Sequence, residues 1–241
     1  MKKLKKKVAF SMGGKGGGGK TTLISALAEW YAENQIPCTL LDLDIENKKK
    51  GSFSHFFPDR AIKIDISTPA GLDAFIDHAD KEPDIILADM GAGSGKISSA
   101  WFNSMFESIA DRLSFTAIGV VTSDPASVES LLNWAAQLQN RVSYLVVLNQ
   151  QEDIQIDFTY WERSAEAVAF RAAFNPLIIR MEARLPDLQH ALRNHGFTLG
   201  QVAAREVAGT ELDKSSLVIR AQAYRRQLFA EFDRVKEALL P

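Results

Sequence analysis

Val8-Ala-Phe-Ser-Met12 is a short apolar run that breaks into Gly13-Gly-Lys-Gly-Gly-Gly-Gly-Lys-Thr21, after which Leu23, Ile24, Leu27, Ala28 and Tyr31 recur at helical spacing. The order is strand, glycine loop, helix. Gly14 to Thr21 fits the pattern G-x-x-x-x-G-K-[ST], in the strand-to-helix context that the pattern requires. Glycines let backbone N–H groups turn inward around phosphate oxygens, and a helix beginning near Thr21 aims its positive dipole end at the same place. Gly14, Gly16, Gly17, Gly18 and Gly19 are therefore candidates for a phosphate cradle, with Lys15 and Thr22 at its margins. Lys20 would neutralise the outer phosphates, and the Thr21 hydroxyl would ligate Mg2+. The same letters satisfy G-x-G-x-x-G through Gly14, Gly16 and Gly19, with acids at Asp42 and Asp44 further on. A dinucleotide-binding Rossmann protein is thus an alternative, although that fingerprint has no need of a lysine and a hydroxyl directly after its third glycine.

Working outward, residues 38–44, 85–89, 115–121 and 142–148 are nearly continuous apolar runs that read as buried strands, and 175–179 is a shorter one. Helical patterns at about 72–79, 98–110, 125–139 and 160–169 fall between them, and 188–194 and 216–240 follow. The alternation predicts an α/β fold with a doubly wound, mostly parallel sheet flanked by helices. One domain over 1–241, helical from about 181, is expected.

The 241 residues are 46% hydrophobic and 24% charged, with net charge −2, which fits a globular chain with ample core. Cys38 is the only cysteine, which excludes a disulfide framework, a cysteine-type zinc site and an iron–sulfur site within one chain, and predicts a reducing, cytoplasmic compartment. No run approaches the roughly 20 apolar residues that span a bilayer. Five of the 28 basic residues stand in the first seven positions, leaving 23 against 30 acids elsewhere. These lysines read as a solvated lead-in or as an anion-attracting cluster near the phosphate loop, whose strand they precede.

Lys15-Gly-Gly-Gly-Gly-Lys-Thr21 resembles the loop of the deviant P-loop ATPases of the ParA/MinD family, which carry a second, early lysine in the pattern K-G-G-x-G-K-[ST]. Leu41-Asp42-Leu-Asp44-Ile-Glu-Asn47 is similar to the family's D-x-D segment, and Asp84-Ile-Ile-Leu-Ala-Asp89 to its Walker B strand. Val121-Thr-Ser-Asp-Pro125 is similar to its strand-to-helix junction, and Leu148-Asn149 to the strand end whose asparagine reads adenine. The match runs in order from Val8 to Ile179. It departs at Gly18, where the family often has valine, and at Ile45-Glu-Asn-Lys-Lys-Lys-Gly51, where proline and small polar residues are usual.

The resemblance implies an ATPase that dimerises around Mg-ATP and is reset by slow hydrolysis, stimulated by a protein partner, in a positioning or plasmid-partition role. Lys15 would reach the partner subunit's nucleotide, Asp44 would orient the attacking water and Asn149 would read the base. Asp89 would hold Mg2+ through its water shell, with Asp42 supporting the metal or Asp44. Gly91-Ala-Gly-Ser-Gly95 has the freedom of a γ-phosphate-sensing switch. Nonspecific DNA is a further partner by analogy with partition relatives. The stripe Leu217, Ala221, Tyr224, Leu228, Phe232, Val235 and Leu239 reads as core packing rather than a membrane anchor, because the opposite face lacks a cationic bias. A metabolic P-loop ligase or synthetase that uses ATP on a small substrate shares the same fold class and is the remaining alternative.

Overall fold

A computed structural model describes residues 5–12, 16–44, 50–81, 83–91, 95–151 and 157–241. The first half runs β1 (Lys6–Ser11), α1 (Lys20–Glu33), β2 (Thr39–Leu43), α2 (Phe53–Phe56), β3 (Ala61–Lys63), α3 (Pro69–Asp80), β4 (Ile85–Met90) and α4 (Gly95–Ile109). Then come β5 (Leu113–Val121), α5 (Pro125–Leu138), β6 (Ser143–Asn149), α6 (Thr159–Arg163), α7 (Ala165–Phe174) and β7 (Leu177–Met181). The chain closes with α8 (Pro186–His195), α9 (Leu199–Ala203), α10 (Ser215–Arg234) and α11 (Lys236–Leu239).

The strands form one seven-stranded sheet in the order β3-β2-β4-β1-β5-β6-β7, and every pairing is parallel. With β1 near the centre, the chain first winds toward β3 and then returns to build the opposite half from β5. The loop after β1 therefore opens at the point where winding reverses, the usual ligand crevice of such sheets. A strand, glycine loop and helix at the centre of a parallel sheet make this a P-loop NTPase fold.

Side chains alternate between two cores. Ala9, Leu40 and Leu87 pack under α1, α8 and α10, whereas Val8, Phe10, Leu41 and Ile86 pack under α3 and α5. Burial on both faces explains the near-continuous apolar strands. Asp124 caps α5 by accepting from the Ala126 N–H at 2.8 Å, and Pro125 opens the helix. The apolar stripe of α10 is buried on α1, where the Trp30 and Phe232 rings lie 6.1 Å apart and Trp30 Nε1–H donates to Asp233 at 2.9 Å. Trp30, Trp134 and Trp161 are all core residues.

Several expectations need correction. The 216–240 helix breaks at Val235, where the Tyr31 hydroxyl and the Thr116 hydroxyl donate to the Leu239 and Ala238 carbonyls at 2.7 and 2.6 Å and turn the end inward. The 160–169 helix is two, because the Ser164 hydroxyl accepts from the Ala167 N–H and starts a new one. Strand β3 and helices α2 and α9 were too short to leave a periodic signal. Of the five lysines, Lys2 and Lys3 lie outside the described residues; Lys6 Nζ donates to the Asp80 and Lys81 carbonyls behind α3, and Lys5 Nζ to the Ala110 carbonyl behind α4. Strand β1 separates Lys5 and Lys6 from the loop by roughly 20 Å. Lys5 and Lys6 place cations at helix C-termini on an exposed face.

At the β7 edge, the Arg180 N–H donates to Glu231 Oε2 at 2.9 Å and Arg234 Nη2 donates to the Ile178 carbonyl at 2.7 Å. Among the described residues no helix is long and apolar enough to cross a membrane.

Candidate functional site

Strand alternation places the acids. Two residues beyond Ala9, Leu40 and Leu87, on the same α1-facing side, stand Ser11, Asp42 and Asp89. Because β2, β4 and β1 are neighbours, these three lie side by side at the carboxyl ends of the strands. Ser11 Oγ–H donates to Asp89 Oδ1 at 2.8 Å while accepting from the Met90 N–H at 2.9 Å. From the first turn of α1, Thr21 Oγ1–H donates to the other carboxylate oxygen, Oδ2, at 2.6 Å. Asp89 is 1% exposed, and burial pushes its carboxyl up to about 6, against the lowering pull of the Thr21 and Ser11 hydrogen bonds. The group is mostly ionised at pH 7. A buried carboxylate touching a hydroxyl is an oxygen donor set suited to a hard cation such as Mg2+.

Asp42 is fully buried and already bonded: Oδ1 accepts from the Asp44 N–H at 3.1 Å and Oδ2 from the Ser54 N–H at 2.9 Å, with Lys63 Nζ 3.8 Å away. It shapes the chain after β2 and so holds Asp44. Asp44 in turn packs on Gly91, where a Cβ would come within 2.5 Å of Asp44 Oδ1. The ends of β2 and β4 thus meet through one carboxylate and one glycine.

The loop itself needs glycine at Gly17 and Gly19, whose φ angles are +79° and +95°. Asn149 Nδ2–H donates to the Gly18 carbonyl at 2.9 Å, and Gln151 Nε2–H to the Gly17 carbonyl at 2.7 Å. Across each trans peptide, the carbonyl drawn toward β6 turns the next N–H, that of Gly18 or Gly19, the opposite way. Asn149, expected from the resemblance to read a base, here engages the loop. On the outer flank of α1, Thr22 Oγ1 accepts from Arg184 Nη2–H at 2.8 Å. There a cavity of about 390 Å³ runs from Gly16–Thr22 and Asp44 along Ser25 and Glu29 to Arg184 and Arg193.

The structure therefore brings together Gly16 to Thr22, Asp42, Asp44, Asp89 and Asn149. Gly14, Lys15 and residues 92–94 of the expected switch lie outside the described residues. Ser11, Gln151 and Arg184 escaped the sequence reading. Ser11 left a faint trace, as the polar residue in an apolar strand. Arg184 left none, since 162 residues separate it from Thr22.

No protein-family model matches the sequence, and no curated protein matches it. Among solved structures the chain is similar to chloroplast FtsY from Physcomitrella patens, at 12% identity and TM-score 0.47, over 76% of this chain and 60% of that one. It is similar to FlhF complexed with GTP and Mg2+, at 11% identity and TM-score 0.42, over 76% and 68% of the two chains. It is also similar to the Signal Recognition Particle 54 kDa protein from Aeropyrum pernix K1 in complex with GDP. That pair shares 15% identity and TM-score 0.44, over 98% of this chain and 53% of the other. The match spans about three fifths of the FtsY chain and half of the signal-recognition protein.

Proposed function

We propose that this chain is a nucleotide-dependent switch of the ParA/MinD type, which binds Mg-ATP, dimerises around it and is reset by slow hydrolysis. The observation that carries the reading is the contact of the Thr21 hydroxyl with the buried Asp89 carboxylate, directly behind a glycine loop that ends in Lys20. Phosphoryl transfer to water asks a protein mainly for positioning and charge neutralisation. Loop N–H groups and Lys20 would bind the phosphate chain, and Thr21 with Asp89 would hold Mg2+, which supplies charge neutralisation at the outer phosphates. Asp44, steadied by Asp42 and pressed on Gly91, would accept a hydrogen bond from the attacking water. Lys15 would reach the second copy's nucleotide. ATP is favoured over GTP because Asn149-Gln-Gln-Glu152 lacks the lysine and aspartate of the guanine-reading N-K-x-D motif. The partners proposed are a second copy of the chain, an activating protein and DNA bound without sequence preference.

Phosphate release and light scattering, with ATP and GTP side by side, test this. Wild type should turn over ATP slowly and dimerise with it. Lys20→Ala should lower nucleotide affinity on the order of 10²-fold or more. Lys15→Ala should bind ATP yet stay monomeric, and Asp44→Ala should remain dimeric with little turnover. A wild type that binds no ATP removes the reading. An unchanged dimer in Lys15→Ala, or full turnover in Asp44→Ala, removes the role given to that residue.

A further inference from the structure

The helix that starts in the glycine loop carries a second, differently built polar face. Thr22, Ser25, Ala26 and Glu29 follow the spacing of one helix stripe, and all four line the outer cavity. Large apolar residues at Thr22, Ser25 and Ala26 would close the gap against α8 and α9; these short ones keep it open, while Glu29 reaches across to α9. Ser25 is 8% exposed, and among the described residues its buried Oγ has no hydrogen-bond partner. Glu29 is equally buried and accepts from the Gly200 N–H at 2.6 Å.

Arg184 stands opposite. Its guanidinium lies 5.4 Å from the centre of the Tyr224 ring and donates to Thr22 Oγ1, yet among the described residues it forms no ion pair. A half-buried guanidinium has five N–H donors in a planar fork that suits a carboxylate or phosphate. Arg193, a second cation, lines the same cavity from α8. Thr22 accepts from Arg184, so its own hydroxyl proton is available for a further acceptor. Its backbone N–H belongs to the first turn of α1, which has no intrahelical partner.

We propose that Arg184, anchored on Thr22, is a further nucleotide-binding residue whose guanidinium takes the sugar-side phosphate on the outer flank of α1, on the side away from Asp89. The inference rests on the nucleotide reading above. Lys20 and Thr21 serve the outer phosphates, and one residue further round the helix Thr22 turns toward Arg184. The guanidinium gains a direct anionic partner, which it lacks among the described residues, and the phosphate gains a planar donor fork in a sheltered place.

Calorimetric titration of the full chain with ADP and Mg2+ tests this in wild type, Arg184→Gln, Arg184→Lys and Thr22→Val. Arg184→Gln should lower ADP affinity about tenfold or more and flatten its dependence on salt, since one charge contact is gone. Arg184→Lys should recover part of the affinity, and Thr22→Val should lose a smaller factor. The melting temperature without ligand should be the same in all four proteins. Wild-type ADP affinity in Arg184→Gln overturns that role and leaves the nucleotide reading intact. A loss of affinity that lysine does not relieve, together with a lowered melting temperature, also overturns it, because the arginine is then a strut. A wild type that binds no nucleotide overturns both.

Discussion

Thr21 and Thr22 are adjacent in sequence, yet one hydroxyl donates to a carboxylate that is 1% exposed and the other accepts from a half-buried guanidinium beside a cavity of about 390 Å³. One step along a helix rotates a side chain by about 100°, enough to carry it from the sheet side to the outer side. The inner side is assembled from β1, β4 and α1, which sit in the middle of the fold and whose register is held by both cores. The outer side is assembled from α1 and the distant segment after β7. On the inner side the Ser11 and Thr21 hydroxyls both donate to Asp89; on the outer side, among the described residues, the Ser25 hydroxyl has no hydrogen-bond partner and Arg184 forms no ion pair. Function that demands a fixed metal suits the first construction, and recognition of an incoming anion suits the second.

Asp89→Asn puts the largest strain on this contrast. Phosphate release should fall on the order of 10²-fold or more, as expected when a metal-holding charge is removed. Stability should move the other way. The folded pKa of about 6 lies above that of the unfolded chain, so the favourable contribution is complete below about pH 4 and is lost as pH rises through about 6. The neutral amide avoids that loss, and the melting temperature at pH 7 should not drop. A sharp drop in a thermal scan would make the inner network a structural strut instead.

Gly91→Ala is a milder probe of the inner side. The added methyl would lie 2.5 Å from Asp44 Oδ1 and must displace it, so turnover should fall about tenfold while ADP affinity is retained. Equal losses in both would show that the glycine serves binding rather than the placement of Asp44.

The smallest effect is expected on the outer side, at Glu29→Gln. Burial raises the Glu29 carboxyl, with Thr198, Gly200 and Arg225 opposing. A carboxyl raised by folding adds stability at low pH and gives it up as pH rises, so glutamine should melt higher than wild type at pH 8. The gap should close toward pH 4. A gap of constant size across that range would assign the difference to packing.

Local pattern made much of the inner side legible. The glycine loop, the helix start and the paired strands that end in Asp42 and Asp89 all stand in apolar runs whose period is read directly, and the parallel sheet follows from their alternation with helices. Asp42 and Asp89 announce themselves as acids in apolar strands. What a side chain bonds to was not legible in the same way: Asp42 is committed to the Asp44 and Ser54 N–H groups, and Asn149 to the Gly18 carbonyl. These depend on loop conformations that no period encodes. The outer side was hidden because Arg184 and Thr198 reach α1 only after the C-terminal helices fold back over it.

The capped edge of the sheet limits how copies of this chain can assemble. Glu231 and Arg234 occupy the outward N–H of Arg180 and the outward carbonyl of Ile178, the backbone positions that a foreign strand would need in order to continue the sheet past β7. Continuation of the sheet past that edge is blocked by two side chains from one helix, so a closed domain there replaces an open ladder.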